Sequence, residues 1–166
     1  MEKRTHGMIR TATLDDVPRI VEMSLRFIAS SSYKQFIQAD AEGLERLIGQ
    51  VMLQGVILVG EMEAVYFEGD LEIGREQILA GMMAIASLTH PFTGEPYGDE
   101  LAWWVEPEYR KGTLGHKLLC AGEHWARQNG LTVLKMVAPA GSDVGTHYVR
   151  RGFSLVETVY QKTLTE

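Results

Sequence analysis

Apolar and polar positions along the chain change period several times, and each change marks an element. Leu101-Ala102-Trp103-Trp104-Val105 is a short apolar run of β-favouring residues, which Pro107 stops by removing a backbone donor and pinning φ. From Leu114 the apolar positions recur at Leu118, Leu119, Ala121, Gly122 and Trp125, the stripe of an amphipathic helix that ends at Gly130. Upstream, Ile9 to Thr11 reads as a first strand, with residues 1–7 an N-terminal extension and Met8 opening the folded part. Thr13-Leu14-Asp15-Asp16 resembles a capping box for a helix through about Phe27, with Pro18 tolerated in its early turns and Ser30-Ser31-Ser32 breaking it. Leu44, Leu47, Ile48, Val51 and Met52 predict a second helix ending near Gly55.

Val56 to Val59 and Ile78 to Ile85 then predict strands, and the stretch between them, Glu61 to Glu76, predicts a small β-excursion of its own around a Glu68-Gly69-Asp70 turn. Thr89 to Gly98 is a loop by its Pro and Gly content. Thr132 to Ala138 reads as a strand closed by Pro139, a short helix follows near Val144 to Arg151, and Leu155 to Leu164 predicts a closing strand. There are no repeats or low-complexity tracts, so the pattern is one alternating α/β unit spanning residues 8–166.

Length and composition narrow the picture. The chain has 166 residues, which suits one domain, and 45% of them are hydrophobic, without an apolar stretch long enough to span a bilayer. The polar, basic start lacks the apolar core of a secretory signal, so a cytoplasmic location is expected. A formal net charge of −6 argues against nucleic acid as the main partner and favours a cationic one, such as an amine. Cys120 is the only cysteine, which excludes an internal disulfide, and its place on the amphipathic helix suits packing better than nucleophilic chemistry. His6, His90, His116, His124 and His147 show no metal-ligand spacing, so no metal is expected.

The candidate chemistry sits between the apolar strand and the helix that follows it. Arg110 to Gly115 covers the helix N-terminus, where backbone N–H groups lack intrahelical acceptors and the positive end of the macrodipole points outward. Gly112 and Gly115 keep side chains out of the way, and Arg110, Lys111 and Lys117 add cations. Such a turn can hold a phosphoanion. An ordinary strand-to-helix connection would look similar, and neither a P-loop nor a dinucleotide-binding fingerprint is present.

The run Val105-x-Pro107-x-x-Arg110-x-x-Thr113-x-Gly115 resembles the pyrophosphate-binding motif of the GNAT superfamily, the acetyl-CoA-dependent N-acetyltransferases, usually V-x-P-x-x-R/Q-x-x-G-x-G/A. Thr113 stands where the middle glycine is expected, with Gly112 one residue early. Downstream, Thr146-His147-Tyr148-Val149-Arg150-Arg151-Gly152-Phe153 is similar to the family's F/A-x-x-Y-x-x-x-G-F segment. The resemblance implies a mixed, mostly antiparallel α/β sheet splayed between the motif strand and the next one, flanked by helices, with acetyl-CoA in the wedge. It implies cofactor contacts from Trp103, Trp104, Val105, Arg110, Lys111, Gly112, Thr113, Leu114, Gly115 and His116. The wording of these segments leans towards small phage-encoded or bacterial members, whose target could be a host protein, and a homodimer is open.

Roles follow from the chemistry of amide formation. An alkylammonium with a pKa of about 10.4 must lose a proton before it attacks a thioester, and the departing thiolate benefits from gaining one. The resemblance places Tyr148 beside the sulfur as the acid, although the same ring could simply anchor the short helix. Glu100 and Asp99, at the start of the motif strand, are the leading bases, with Glu95 and His90 in the loop as alternatives. Adjacent strand residues face opposite sides, so at most one of Asp99 and Glu100 faces the groove. The expected activity is direct transfer from acetyl-CoA to a primary amine, on a small molecule or a protein, with a non-catalytic CoA-binding module as the alternative.

Overall fold

The computed structural model describes residues 2–164. Its centre is a five-stranded open sheet in the order β1-β2-β3-β4-β5. The strands are β1 Glu2–Thr11, β2 Gly55–Glu68, β3 Leu71–Thr89, β4 Pro96–Val105 and β5 Leu134–Lys135. The first four pair antiparallel in sequence order, and β5 joins β4 in parallel. A parallel neighbour needs a crossover. Helix α3 (Leu114–Gln128) supplies it, after α1 (Val17–Ser30) and α2 (Ala41–Gln54), and α4 (Val144–Arg150) follows. This is the mixed α/β architecture expected from the sequence.

Side-chain alternation divides the interior into two layers. Ile57, Val59, Met82, Ala84 and Trp104 pack against Ile20, Val21, Met23, Ile48 and Val51 of α1 and α2. Val56, Leu58, Met83 and Ile85 pack against Leu118 and Leu119 of α3 and Tyr148 of α4, with Trp103 and Val105 beside them. The two tryptophans therefore enter opposite layers. Helix α3 settles closely onto the sheet because a Cβ at Gly60 would lie 2.9 Å from Leu114 and one at Gly81 would lie 3.0 Å from Leu118.

The capping box is present. The Asp16 carboxylate accepts from the Thr13 backbone N–H at 2.8 Å and from Arg10 Nη1 at 2.7 Å. The Arg10 guanidinium holds the Asp16 carboxyl down at about 2. Ser31 is extended and ends α1, and α2 runs from the Asp40 cap to Gly55.

Four expectations are revised. Strand β1 starts at Glu2 rather than Ile9, because residues 2–7 pair with Met62 to Phe67 instead of standing ahead of the fold. The Glu61 to Glu76 stretch is not an excursion of its own. It continues the β2–β3 hairpin, with register shifts after Gly60 and Tyr66 and a turn at Gly69, whose φ is 60°. The loop closes earlier than composition suggests, since His90 and Glu95 are joined by a backbone bond of 2.8 Å and Pro96 to Gly98 already belong to β4.

The fourth revision concerns the last strands. Strand β5 narrows to Leu134–Lys135, and residues 155–164 form no strand. A strand needs a neighbour for its N–H and C=O groups, and a two-residue edge cannot template a ten-residue partner. Leu155, Val156, Val159, Tyr160 and Leu164 are consequently exposed. No helix among the described residues is long and apolar enough to cross a membrane.

Candidate active site

The sheet forks where β5 ends. The β4–β5 ladder holds only Gly98 opposite Leu134 and Asp99 opposite Lys135, and beyond that rung the strands part. The backbone of Val137, which would have continued the ladder, is gripped by two side chains instead. Glu100 Oε2 accepts from the Val137 N–H at 3.0 Å, and the Tyr148 hydroxyl donates to the Val137 carbonyl at 3.0 Å. One residue thus connects the leading candidate base with the candidate acid, through the two peptide groups that flank it.

Strict alternation would put Glu100 on the same side as Ala102 and Trp104, away from Tyr148. A bulge reverses it. Ala84 pairs with Ala102 but Ile85 pairs with Glu100, so Leu101 is the extra residue and everything before it changes face. Glu100 consequently points to the layer of Ile85 and Tyr148. Asp99 turns the other way, next to the cation of Lys135.

The two carboxyls differ accordingly. Glu100 is 6% exposed, and this burial lifts its carboxyl to about 7, opposed by the Val137 N–H and reinforced by the negative charge of Asp99. Burial also raises the Asp99 carboxyl, with Lys135 pulling it back down. Tyr148 is buried, stacks on Trp103 at 6.0 Å and meets Phe153 at 5.7 Å. Burial, helped by the Glu100 charge, pushes its phenol upward. His90 lies at the rim with its ring against Phe92 and Tyr97, and Glu95 is exposed on the same loop.

The candidate anion-binding turn lies at the other end of β4. Pro107 to Tyr109 make one turn of 3-10 helix, and α3 begins at Leu114. Lys111, Gly112, Thr113 and His116 are exposed around its first turn, while Leu114 buries its side chain and Gly115 lies flat against Trp103 and Val105. Thr113 has φ −93°, which a β-branched residue adopts freely, so its backbone does not call for glycine. Arg110 donates Nε to the Val105 carbonyl at 2.8 Å and stacks its guanidinium on Trp104 at 4.5 Å. Lys117 is diverted, donating to the Gly7 carbonyl at 2.7 Å. The indole N–H groups of Trp103 and Trp104 are buried and have no acceptor among the described residues.

The fork and the helix terminus together form an elongated gap along β4. A parting pair of strands leaves backbone groups of Trp103 to Val105 facing the gap, and the cations stand at its far end, beside a helix N-terminus. Cys120 contacts His116 at 3.4 Å on the outer part of α3. Among the described residues no cluster of His, Cys, Asp and Glu is arranged to hold a metal.

One residue escaped the sequence reading. Glu106 is 3% exposed and accepts from Arg19 Nη2 at 2.7 Å and from Arg26 Nη1 at 3.0 Å, tying α1 to the end of β4 just before the turn into α3. The signal was available as a charge between an apolar strand and a proline, matched by two arginines two helical turns apart on α1.

Comparison with known proteins agrees with this geometry. A profile described as the Acetyltransferase (GNAT) family matches residues 60–153. A transcriptional regulator from Bacillus halodurans C-125 has a similar structure, with 14% identity, a TM-score of 0.69, and coverage of 96% of this chain and 100% of that one. An aminoglycoside acetyltransferase, meta-AAC0020, from an uncultured soil metagenomic sample, solved in complex with sisomicin, gives 18% identity, a TM-score of 0.62 and 96% coverage of each chain. The aminoglycoside antibiotic 6'-N-acetyltransferase AAC(6')-IG from Acinetobacter haemolyticus gives 16%, 0.60, and 96% and 99%. At these identities the likeness is one of fold. No curated protein matches the chain by sequence.

Proposed function

The chain belongs to the Acetyltransferase (GNAT) family, and from that premise we propose that it moves an acetyl group from acetyl-CoA directly to a primary amine in a ternary complex. The observation that carries the reading is the grip of Glu100 on the N–H and of Tyr148 on the carbonyl of Val137, at the point where β4 and β5 part. Bound acetyl-CoA supplies an activated acyl carbon. The residues of the chain do the rest.

Arg110 and Lys111 hold the diphosphate with the first-turn N–H groups of α3, which need no reorganisation to meet an anion. Backbone groups of Trp103 to Val105 pair with the pantetheine amides, and an N–H in this stretch polarises the thioester carbonyl. Glu100, with its carboxyl near 7, is substantially ionised at neutral pH yet basic enough to take a proton from an incoming ammonium. Tyr148 delivers a proton to the departing sulfur. Its high phenol pKa keeps it protonated until it is needed. Cys120 lies on α3, outside the grip on Val137, which supports transfer without an acyl-enzyme.

The acceptor is an amine of a small molecule or a protein, and the acidic balance of −6 favours a cationic one. Thiol release from acetyl-CoA, followed across a panel of amines and beside Tyr148→Phe, tests the reading. Turnover with at least one amine, reduced by the substitution, is expected. Binding of CoA with no amine or partner lysine acetylated would instead favour a non-catalytic CoA-binding module.

A further inference from the structure

Lys135 occupies the last rung of the ladder, directly across from Asp99, with the fork opening at the next residue. Its ammonium lies 2.7 Å from Glu157, a contact that with the charge of Asp99 raises its pKa and marks carboxylates at hand to take its proton, and its side chain is 38% exposed. Among the described residues no other lysine is placed this way, and Lys162 stands exposed in the C-terminal segment. Lys3 stacks on Tyr66 at the distal end of β1, Lys34 lies in the turn after α1, and Lys117 is bonded to Gly7. Lys111 stands at the phosphate end, far along β4 from the acyl end.

We infer that Lys135 is an acetylation site of the chain itself, modified from acetyl-CoA bound in its own fork. The inference rests on the proposed acetyl transfer and adds an acceptor built into the fold. Asp99, whose carboxyl is raised by burial, takes one proton from the Lys135 ammonium. The freed amine forms the N–C bond to the thioester carbonyl carbon as the C–S bond breaks. The second proton leaves nitrogen for the sulfur, so CoA departs as the thiol and one proton reaches solvent through Asp99.

The consequence lies in the C-terminal segment. Lys135–Glu157 is, among the described residues, the ion pair that ties residues 155–164 to the sheet. Acetylation removes that cation and also leaves Asp99 without its neighbouring positive charge. The modification thus alters both the acidic side of the fork and the tether of an exposed apolar tail.

Two measurements test this. Purified protein incubated with acetyl-CoA and no added amine is digested, and its peptides are weighed. A gain of about 42 Da at Lys135, at least about tenfold faster than at Lys34 or Lys162, is expected because Lys135 stands at the mouth of the fork, on the face opposite Tyr148. The fraction modified per minute should not change with protein concentration. Separately, brief labelling with an amine reagent should be several-fold slower at Lys135 when CoA itself is bound, with Lys34 and Lys162 unaffected. Labelling of Lys135 that ignores CoA, or acetylation there no faster than at Lys34, overturns the inference. If an external amine is turned over in the same preparation, the proposed function survives that result. If no amine is turned over either, both fall.

Discussion

Two buried carboxylates six positions apart are treated in opposite ways. Glu106, at the end of β4, meets two guanidiniums from α1 and is 3% exposed. Glu100, beside the bulge, is 6% exposed and meets a single backbone N–H, with no cation bonded to it among the described residues. A carboxylate removed from water without a cation is forced towards its neutral form. Glu106 is thus a clamp that fixes α1 against the end of β4, and Glu100 is a group poised to change protonation near pH 7. Burial alone would not separate them. Their partners do.

The largest effect that would break the comparison is on Glu106. Glu106→Ala leaves Arg19 and Arg26 facing an emptied site, and a loss of about 3 kcal/mol in urea unfolding is expected. Glu100→Gln should act in the opposite direction. The folded-state pKa of Glu100 lies above its ordinary 4.5, so the native state keeps a proton that the unfolded chain has already released, and stability falls as pH rises from about 4.5 to about 7. The amide keeps the Val137 bond without the charge. It should therefore leave stability unchanged below pH 4.5 and raise it by about 2 to 3 kcal/mol at pH 8. Destabilisation by both variants at pH 8 would erase the distinction.

A smaller effect sharpens the fork. Tyr148→Phe removes one bond to the Val137 carbonyl, costing about 1 kcal/mol in unfolding. It should also lower kcat by at least about tenfold while leaving the KM for acetyl-CoA within about twofold. A tyrosine that only anchors α4 would show the stability loss alone. Smallest of all is Arg110→Ala, which should raise the KM for acetyl-CoA by about tenfold with kcat preserved, as expected for one exposed charge-assisted contact.

The fold was legible in the sequence where local chemistry decides it. The Thr13 to Asp16 box, the serine break after α1, the Gly55 stop and the stripe from Leu114 to Trp125 depend on neighbours within a turn, and they lie where the pattern put them. The longer hairpin and the pairing of residues 2–7 depend on a partner strand, which periodicity does not reveal. The same limit applies to residues 155–164. Their β-favouring composition stands without a neighbour to pair with, since Glu100 and Tyr148 take the Val137 groups that would have lengthened β5.

The site was legible by composition and not by orientation. Val105 to Gly115 marked the turn between β4 and α3 as a candidate anion site, and Tyr148 and Glu100 were named as candidates. Which of Asp99 and Glu100 faces Tyr148 depended on one extra residue at Leu101, whose effect is visible only against the β3 register. Glu106 was missed because its partners lie 80 and 87 residues away on α1.

The central claim is that Glu100, placed at the fork by that bulge, takes the proton of the acceptor amine. It is tested most directly by the pH dependence of kcat/KM for acetyl transfer, measured for the wild type and Glu100→Gln at saturating acetyl-CoA. The account predicts a rise through about pH 7 in the wild type. In the variant that limb should disappear and the rate at pH 8 should fall by about a hundredfold or more. A variant that keeps both the limb and the rate would contradict it.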